Sequence, residues 1–406
     1  MKNMNQYILI SALAAIFIGA VIKLFFTELD YQYISDATAI LGQLFIKLLK
    51  MILIPLVFFS IVTGVSNLGN SLNASRVWKI TLIYFTLTMS IAILTSLVVM
   101  NLIRPGTGIN INSWSFIAPP VTEALNIGGF LKNFSLSLFE NPFKSLATGN
   151  ILPLIIFSIL IGVALNDAGK KFDAGKKFFN TFYEITLKIV NWIMMLSPIG
   201  IFSLLLNMIL NQNLSLFAEV GSFILVVLFI TLFHGVVILP ALLFIVTRIS
   251  PLQLWQKGRS AFITAFATSS SAATLPVTLG VANTNFNLPS PVSNFVLPLG
   301  ATVNMDGTAL YEAAAALFIA NLVGMDISLS QQLILFFMAM VASIGAPGIP
   351  SAGMVTMAMV LQVLGLPLEA LAILLPMDRL LDTFRTTVNV EGDLVGALIV
   401  NKLSRV

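Results

Sequence analysis

Residues 378–393 read Asp-Arg-Leu-Leu-Asp-Thr-Phe-Arg-Thr-Thr-Val-Asn-Val-Glu-Gly-Asp, near the end of a chain that carries little charge elsewhere. At 100° per residue Asp378, Asp382, Arg385, Asn389 and Asp393 fall within about 80° of one another, a single polar stripe on one helix. The guanidinium of Arg385 stays charged and grips a carboxylate with two parallel bonds. Its other reading is a structural ion pair with Asp382 at i,i+3. Asp382 is equally suited to a ligand ammonium. Arg and Asp at one site point to a ligand bearing both charges, such as an acidic amino acid. Glu391 lies about 160° from the centre of the stripe and falls outside the site. Asp378 and Arg379 receive no firm role; Arg379, on the flank, either pairs with a neighbour or snorkels.

Other polar groups sit in similarly apolar surroundings. Asn304, Asp306, Asn389 and Asp393 are hard oxygen ligands, able to hold a small desolvated cation together with backbone carbonyls. The alternative is hydrogen bonding between helices, for which neutral Asn costs less than Asp. Glu312 stands alone in Ala-Leu-Tyr-Glu-Ala. Desolvation favours its neutral form, so it is either a proton carrier or a permanently protonated structural acid. Ser269-Ser270-Ser271 offers hydroxyl and backbone donors for a carboxylate. The single His, His234, reads as a packed, hydrogen-bonded residue or as a proton relay. No serine has a persuasive base beside it in sequence, so an enzyme is not expected.

The surroundings of these groups decide their meaning. Of 406 residues 58% are hydrophobic and 9% charged, with mean hydropathy +0.98, where a globular domain carries about 25% charged residues. This is the composition of an all-α polytopic membrane protein, in which an ionised group at bilayer depth costs roughly 2.5–3.5 kcal/mol. The stripe must therefore line a polar cavity. The net charge of +4 is a bias between loops, and no nucleic-acid partner is expected. The absence of Cys excludes disulfides.

Apolar segments long enough to span lie near 7–26, 38–69, 78–103, 150–166, 180–210 and 216–248. The first reads as an uncleaved helix despite Ala12-Leu-Ala14, because the apolar run continues beyond that triplet. Arg76, Lys79, Lys170, Lys171, Lys176, Lys177, Arg248, Lys257, Arg259, Lys402 and Arg405 fall in loops on one side. The first loop carries Glu28, Asp30 and Asp36 without Lys or Arg. That bias places both termini in the cytoplasm. After Arg259, two apolar segments are interrupted: Thr264 to Pro276, through the serine run, and Ser343 to Gly353, through Gly345, Pro347, Gly348 and Pro350. Each predicts a helical hairpin that enters the membrane and turns back. Hairpin then helix, twice, is the pattern of an inverted-repeat transporter core.

Four ordered motifs resemble the dicarboxylate/amino acid:cation symporter family, the glutamate transporters. They are Ser-Ser-Ser-Ala-Ala-Thr-Leu-Pro at 269–276, Asn-Met-Asp-Gly-Thr at 304–308, Gly-Ile-Pro-Ser-Ala-Gly at 348–353, and Asp-x3-Asp-x2-Arg-Thr-x2-Asn-Val-x-Gly-Asp at 378–393. Asn141-Pro-Phe143 is a weaker match. The resemblance implies eight transmembrane helices, two re-entrant hairpins, a homotrimer and an elevator mechanism, in a bacterial inner membrane. Residues 1–70 and 105–212 would form a static scaffold; 71–104 and 213–406 would form the mobile transport domain.

It also implies roles. Arg385 would bind the substrate's side-chain carboxylate and Asp382 its ammonium. Thr308, Thr386, Asn389 and the Ser270-Ser271 backbone would complete the pocket, with Gly348 and Ile349 on the gate. Sodium would be held by Asn389, Asp393, Asn304 and the Gly300 carbonyl, and at another site by Asp306 and Thr88. No resident cofactor is implied, only co-transported Na+ and/or H+. The chain departs from the family's pattern at Phe85 and Met89, where sodium-coupled members carry a Tyr and a hydroxyl residue. It departs again at Ser269 and Thr383, one of which is an Arg in the animal and archaeal members. Glu312 matches the proton-carrying position of the animal transporters. The expected function is symport of L-glutamate or L-aspartate. A C4-dicarboxylate carrier is the alternative, against which Asp382 argues, and an anion channel is the alternative from another class.

Overall fold

Proline, glycine and serine punctuate a chain that is otherwise helical. The computed structural model describes residues 4–66, 75–108, 139–148, 151–167, 169–211, 214–346, 348 and 350–404, and among them there is no strand. The helices of the first half are α1 (Met4–Phe25), α2 (Glu28–Ser66), α3 (Ser75–Ile103), α4 (Pro142–Thr148), α5 (Ile151–Asp167), α6 (Asp173–Met195) and α7 (Ser197–Asn211). The expected span at 180–210 is thus two helices, broken at Leu196 just before Pro198, whose ring removes a backbone donor. Asn141 takes the N–H groups of Phe143 and Lys144 on its Oδ1 and starts α4. At 39 residues α2 reaches roughly 58 Å, about twice the hydrocarbon thickness, and it contains Pro55. Residues 67–74 and 109–138, parts of the expected domains, lie outside the described residues.

The second half is more broken. It comprises α8 (Leu214–Phe233), a π-turn (His234–Ile238), α9 (Leu239–Thr247), α10 (Pro251–Thr268), α11 (Ser271–Gly280), a second π-turn (Val281–Asn285), α12 (Ser290–Val303), α13 (Asp306–Leu322), α14 (Leu329–Gly345), α15 (Ala352–Val363) and α16 (Leu371–Ser404). The two expected hairpins are α10–α11 and α14–α15. A capping box opens the first arm of each, Ser250 with Gln253 and Ser328 with Gln331. The first hairpin turns at Ser269, which takes a left-handed φ of 50°. Ser270 then caps α11, its hydroxyl accepting from Ala273 N at 3.1 Å.

Packing forms two neighbourhoods. Helices α1, α5, α6 and α7 gather around α2 or one another; α3 and α8–α14 gather around α13 and α16, and α15 touches both α13 and α2. The outer surface is apolar, with Phe17, Leu24, Ile83, Leu94, Val98, Leu225, Phe229, Ile263 and Phe337 all exposed. The polar groups lie inside, including Asp306, Glu312, Asp378, Asp382, Arg385 and Asp393. That inversion suits lipid as the solvent. Among the described residues two helical stretches, Arg76–Ile103 and Ala218–Thr247, are long and apolar enough on their own to cross a membrane.

Two features hold α13 against α16. Every residue of α13 except Asn321 is buried. Gly307 lets the backbones touch: a Cβ there would collide with the Arg385 main chain. Replacing Gly307 by Val is expected to destabilise the detergent-purified protein by the roughly 1–3 kcal/mol of overpacking, read as a lowered unfolding temperature.

Candidate functional site

The stripe on α16 faces inward, and all five of its members are buried. Arg385 is at its centre. Its Nη2 donates to Asp378 Oδ1 at 2.6 Å and to Asp382 Oδ1 at 3.0 Å, and its guanidinium lies 3.9 Å from the centre of the Tyr311 ring. Both acids and the ring are needed because an arginine cannot shed its proton on burial. Its Nε and Nη1 have no hydrogen-bond partner among the described residues. Nη2 is thus anchored by both acids, while Nε and Nη1, which lie on different edges of the planar group, keep N–H groups able to donate to a carboxylate. Asp382 Oδ2 accepts from Ser351 N at 2.8 Å, which ties the second hairpin's tip to α16.

The remaining expected pocket residues lie on α11, α13, α16 and the hairpin tips. Asn389 Oδ1 accepts from Gly307 N at 2.7 Å, and its Nδ2 lies 3.4 Å from the Thr308 hydroxyl. Thr308 and Thr386 are buried on α13 and α16. The Ser270 hydroxyl donates to the Gly348 carbonyl at 2.6 Å, and Ala272 N donates to the same oxygen at 3.1 Å. The two hairpin tips are thereby joined, with Ser271 buried beside the junction. Ile349 lies outside the described residues.

A second polar group lies where α12 breaks. Asn304 and Met305 leave helical geometry, with φ/ψ of −99°/82° and −115°/65°, before α13 restarts at Asp306. Asn304 Nδ2 donates to Asp393 Oδ1 at 3.2 Å, and the Thr88 hydroxyl donates to Asn304 Oδ1 at 3.3 Å. Gly300 is so close that a Cβ there would meet the Asp393 carboxylate. Its carbonyl accepts from Asn304 N at 2.9 Å. Asn304 and Asp393 thus stand together with the Gly300 backbone, and Asn389 lies one turn away from Asp393 on α16. The set is mostly neutral oxygen with one carboxylate, and no group of three or more His, Cys, Asp or Glu exists among the described residues. Such a donor set fits a hard monovalent cation and not a transition metal.

Asp306 adjoins this group but pairs elsewhere. Its Oδ2 lies 3.2 Å from His234 Nε2, both side chains fully buried. His234 is thus hydrogen-bonded, as the packed reading expects. Phe85 and Met89 are buried nearby and bring no oxygen. Tyr84, one residue earlier, donates its hydroxyl to the Gly392 carbonyl at 3.1 Å. Glu312 accepts a short hydrogen bond from the Thr356 hydroxyl on the second hairpin's outer arm, and its Oε2 has no partner among the described residues.

The sequence that builds this geometry has relatives among known proteins. A family model described as sodium:dicarboxylate symporter family matches residues 4–403. The chain belongs to that family. Similar proteins in it include excitatory amino acid transporter 3 of Mus musculus, 33% identical over 455 residues covering 99% of this chain and 86% of the relative. A putative sodium-dependent excitatory amino acid transporter, glt-4, of Caenorhabditis elegans is 34% identical over 410 residues, covering 89% and 82%. Neutral amino acid transporter A of Bos taurus is 33% identical over 402 residues, covering 90% and 76%. The family and these relatives are transporters and not enzymes, and membership makes the chain a multi-pass membrane protein.

Against that family pattern, Asp378 and Tyr311 are the residues that sequence reasoning left without a part. Asp378 was within reach: it stands seven residues before Arg385, two turns along one face. The Tyr311 ring comes from another helix, and no local spacing signals it. Glu391 is buried against Trp255, whose indole Nε1 donates to its Oε1 at 3.2 Å, away from the stripe as its angle predicts. Asp378→Asn strips Arg385 of its nearer counter-charge. It is expected to destabilise the purified protein by an amount near the low end of the about 3–5 kcal/mol for breaking a buried pair, read from chemical or thermal unfolding.

Proposed function

We propose that this chain is a secondary active symporter that imports L-glutamate or L-aspartate together with Na+ and/or H+. The observation that carries the reading is the half-satisfied guanidinium of Arg385 beside Asp382. A side-chain carboxylate completes the fork of Arg385, and an ammonium is received by Asp382. Thr308, Thr386, Asn389 and the backbone at Ser270 and Ser271 hold the remainder of the ligand, and Gly348 and Ile349 close over it. A neutral amino acid would leave Arg385 unmatched, although a relative bears that name. A C4-dicarboxylate would place a second carboxylate against Asp382. An anion channel would need neither group.

The cation in this reading is held by Asn304, Asn389, Asp393 and the Gly300 carbonyl. Asp306 and Thr88 form a second, poorer position, because Phe85 and Met89 contribute no oxygen. Glu312 is the proton carrier. Eight spanning helices and two re-entrant hairpins make up the fold, with residues 1–70 and 105–212 as the scaffold of a homotrimer. Residues 71–104 and 213–406 move across the membrane as an elevator. Both termini lie in the cytoplasm of a bacterial cell. The family's printed description supports sodium as the driving ion, and the inward-facing polar stripe supports transport over a structural role.

Uptake of labelled glutamate, aspartate and succinate into proteoliposomes tests the reading, with sodium and pH gradients imposed separately. Saturable, gradient-driven uptake of the two amino acids is expected, and Arg385→Cys should reduce it by about 100-fold or more, the scale of a lost buried charge pair. Flux that neither saturates nor follows a cation gradient, or Arg385→Cys protein that retains uptake, contradicts it.

A further inference from the structure

The end of α3 opposite Arg76 and Lys79 carries polar groups that the site on α16 does not use. A cavity of about 240 Å³ opens there against the α13–α14 turn and the start of α14, with Asn101, Arg104, Asn321, Asp326 and Gln332 in its lining. Three of these side chains build the wall. Asn101 and Gln332 exchange amide hydrogen bonds at 2.8 and 3.1 Å, which fastens α3 to α14. Asn321 Nδ2 donates to the Pro105 carbonyl at 3.0 Å, and Gly106 N donates to Glu219 Oε2 at 2.7 Å. The chain around Arg104 is thus pinned to α8 and α13. Arg104 itself takes a left-handed φ of 49°, a conformation that costs a non-glycine residue free energy and persists where its surroundings enforce it.

The charged pair at the cavity is incomplete. Arg104 Nη2 donates to Asp326 Oδ1 at 2.8 Å, with the side chains 54% and 92% exposed. Among the described residues this is the one side-chain hydrogen bond of either group. A guanidinium has five N–H donors and a carboxylate two acceptor oxygens, so spare donors and a spare acceptor stand side by side. An exposed pair of this kind adds little stability by itself. Its neighbours are apolar: Leu102, Ile103, Leu329 and Leu333 are all exposed beside it. At the end of a membrane span such side chains meet acyl chains, and an arginine just past them reaches the headgroup zone. The spare N–H groups of Arg104 suit a phosphate. The spare oxygen of Asp326 suits a primary ammonium. A lipid without an ammonium would leave Asp326 beside a phosphate with nothing between them, and a trimethylated ammonium has no N–H to give.

We infer that this cavity is a phospholipid site, taking one zwitterionic headgroup that ends in a primary ammonium. Arg104 holds the phosphate and Asp326 the ammonium, while the exposed leucines and Ile103 receive the acyl chains. The inference needs membership of a membrane family and does not depend on which ligand the site on α16 carries.

Native mass spectrometry of the detergent-purified full chain tests it. The protein is supplied with equal amounts of phosphatidylethanolamine, phosphatidylcholine and phosphatidylglycerol of the same acyl chains, and the retained lipids are counted. Wild type should retain phosphatidylethanolamine over each of the others by about threefold or more, the scale of an exposed ion pair. Asp326→Asn should abolish that preference while lipid is still held, and Arg104→Gln should lower retention of all three. Asp326→Ser and Arg104→Met replace any variant that does not fold. Equal retention of the three lipids by wild type overturns the inference, as does a preference that survives Asp326→Asn or retention that survives Arg104→Gln. Displacement of the bound lipid by free L-serine, a zwitterion without acyl chains, would give the cavity to a small amino acid and overturn the lipid assignment.

Discussion

A guanidinium cannot lose its charge inside a protein, and the organisation of this chain follows from burying one. Arg385 is 1% exposed, within a molecule whose outer surface is apolar. Unpaired, such a group costs several kcal/mol even after relaxation. Asp378 and Asp382 neutralise it from its own helix, two turns and one turn away, and Tyr311 supplies a ring face from α13. The result is a compact set of opposed charges, the kind of surroundings that the proposed amphoteric ligand would suit.

The same economy governs the backbone. A polar group that leaves its helical partner at this depth needs another partner or a cavity to line. At the hairpin tips the Gly348 carbonyl takes the Ser270 hydroxyl and the Ala272 amide, and the Ser351 amide goes to Asp382. At the break in α12, Asn304 is tied to Thr88 and Asp393. Gly300 and Gly307 have no side chain because Asp393 and the Arg385 main chain occupy that space. The breaks in the helices, the glycines and the polar stripe are one construction: each break places oxygen or N–H groups beside α16, where the proposed ligand and cation would be held.

Much of this was legible in the sequence because the groups concerned are out of place in it. The stripe at 378–393, Asn304 and Asp306, and the Gly/Pro/Ser-rich interruptions each conflict with an apolar helix, and the conflict marks them. Spans with clear ends, such as α1 and α3, appeared within a few residues of where hydropathy puts them. The break at Leu196 was hidden because the apolar run continues through it. Tyr311 was hidden for a different reason: its role comes from the crossing of α13 over α16, a contact 74 positions apart in the chain. His234 was legible as a residue needing a hydrogen bond, but its partner, Asp306, was not.

The central claim is that one site on α16 binds an acidic amino acid and a cation together. Isothermal titration of aspartate into the purified protein, at low and high sodium and at two pH values, tests it most directly. Linkage requires that a cation bound alongside the substrate tighten the substrate's affinity. An increase of about tenfold or more, within the usual range for coupled sites, is the result the account predicts. Aspartate affinity that is indifferent to both sodium and protons, or aspartate binding no tighter than that of a neutral amino acid, would contradict it.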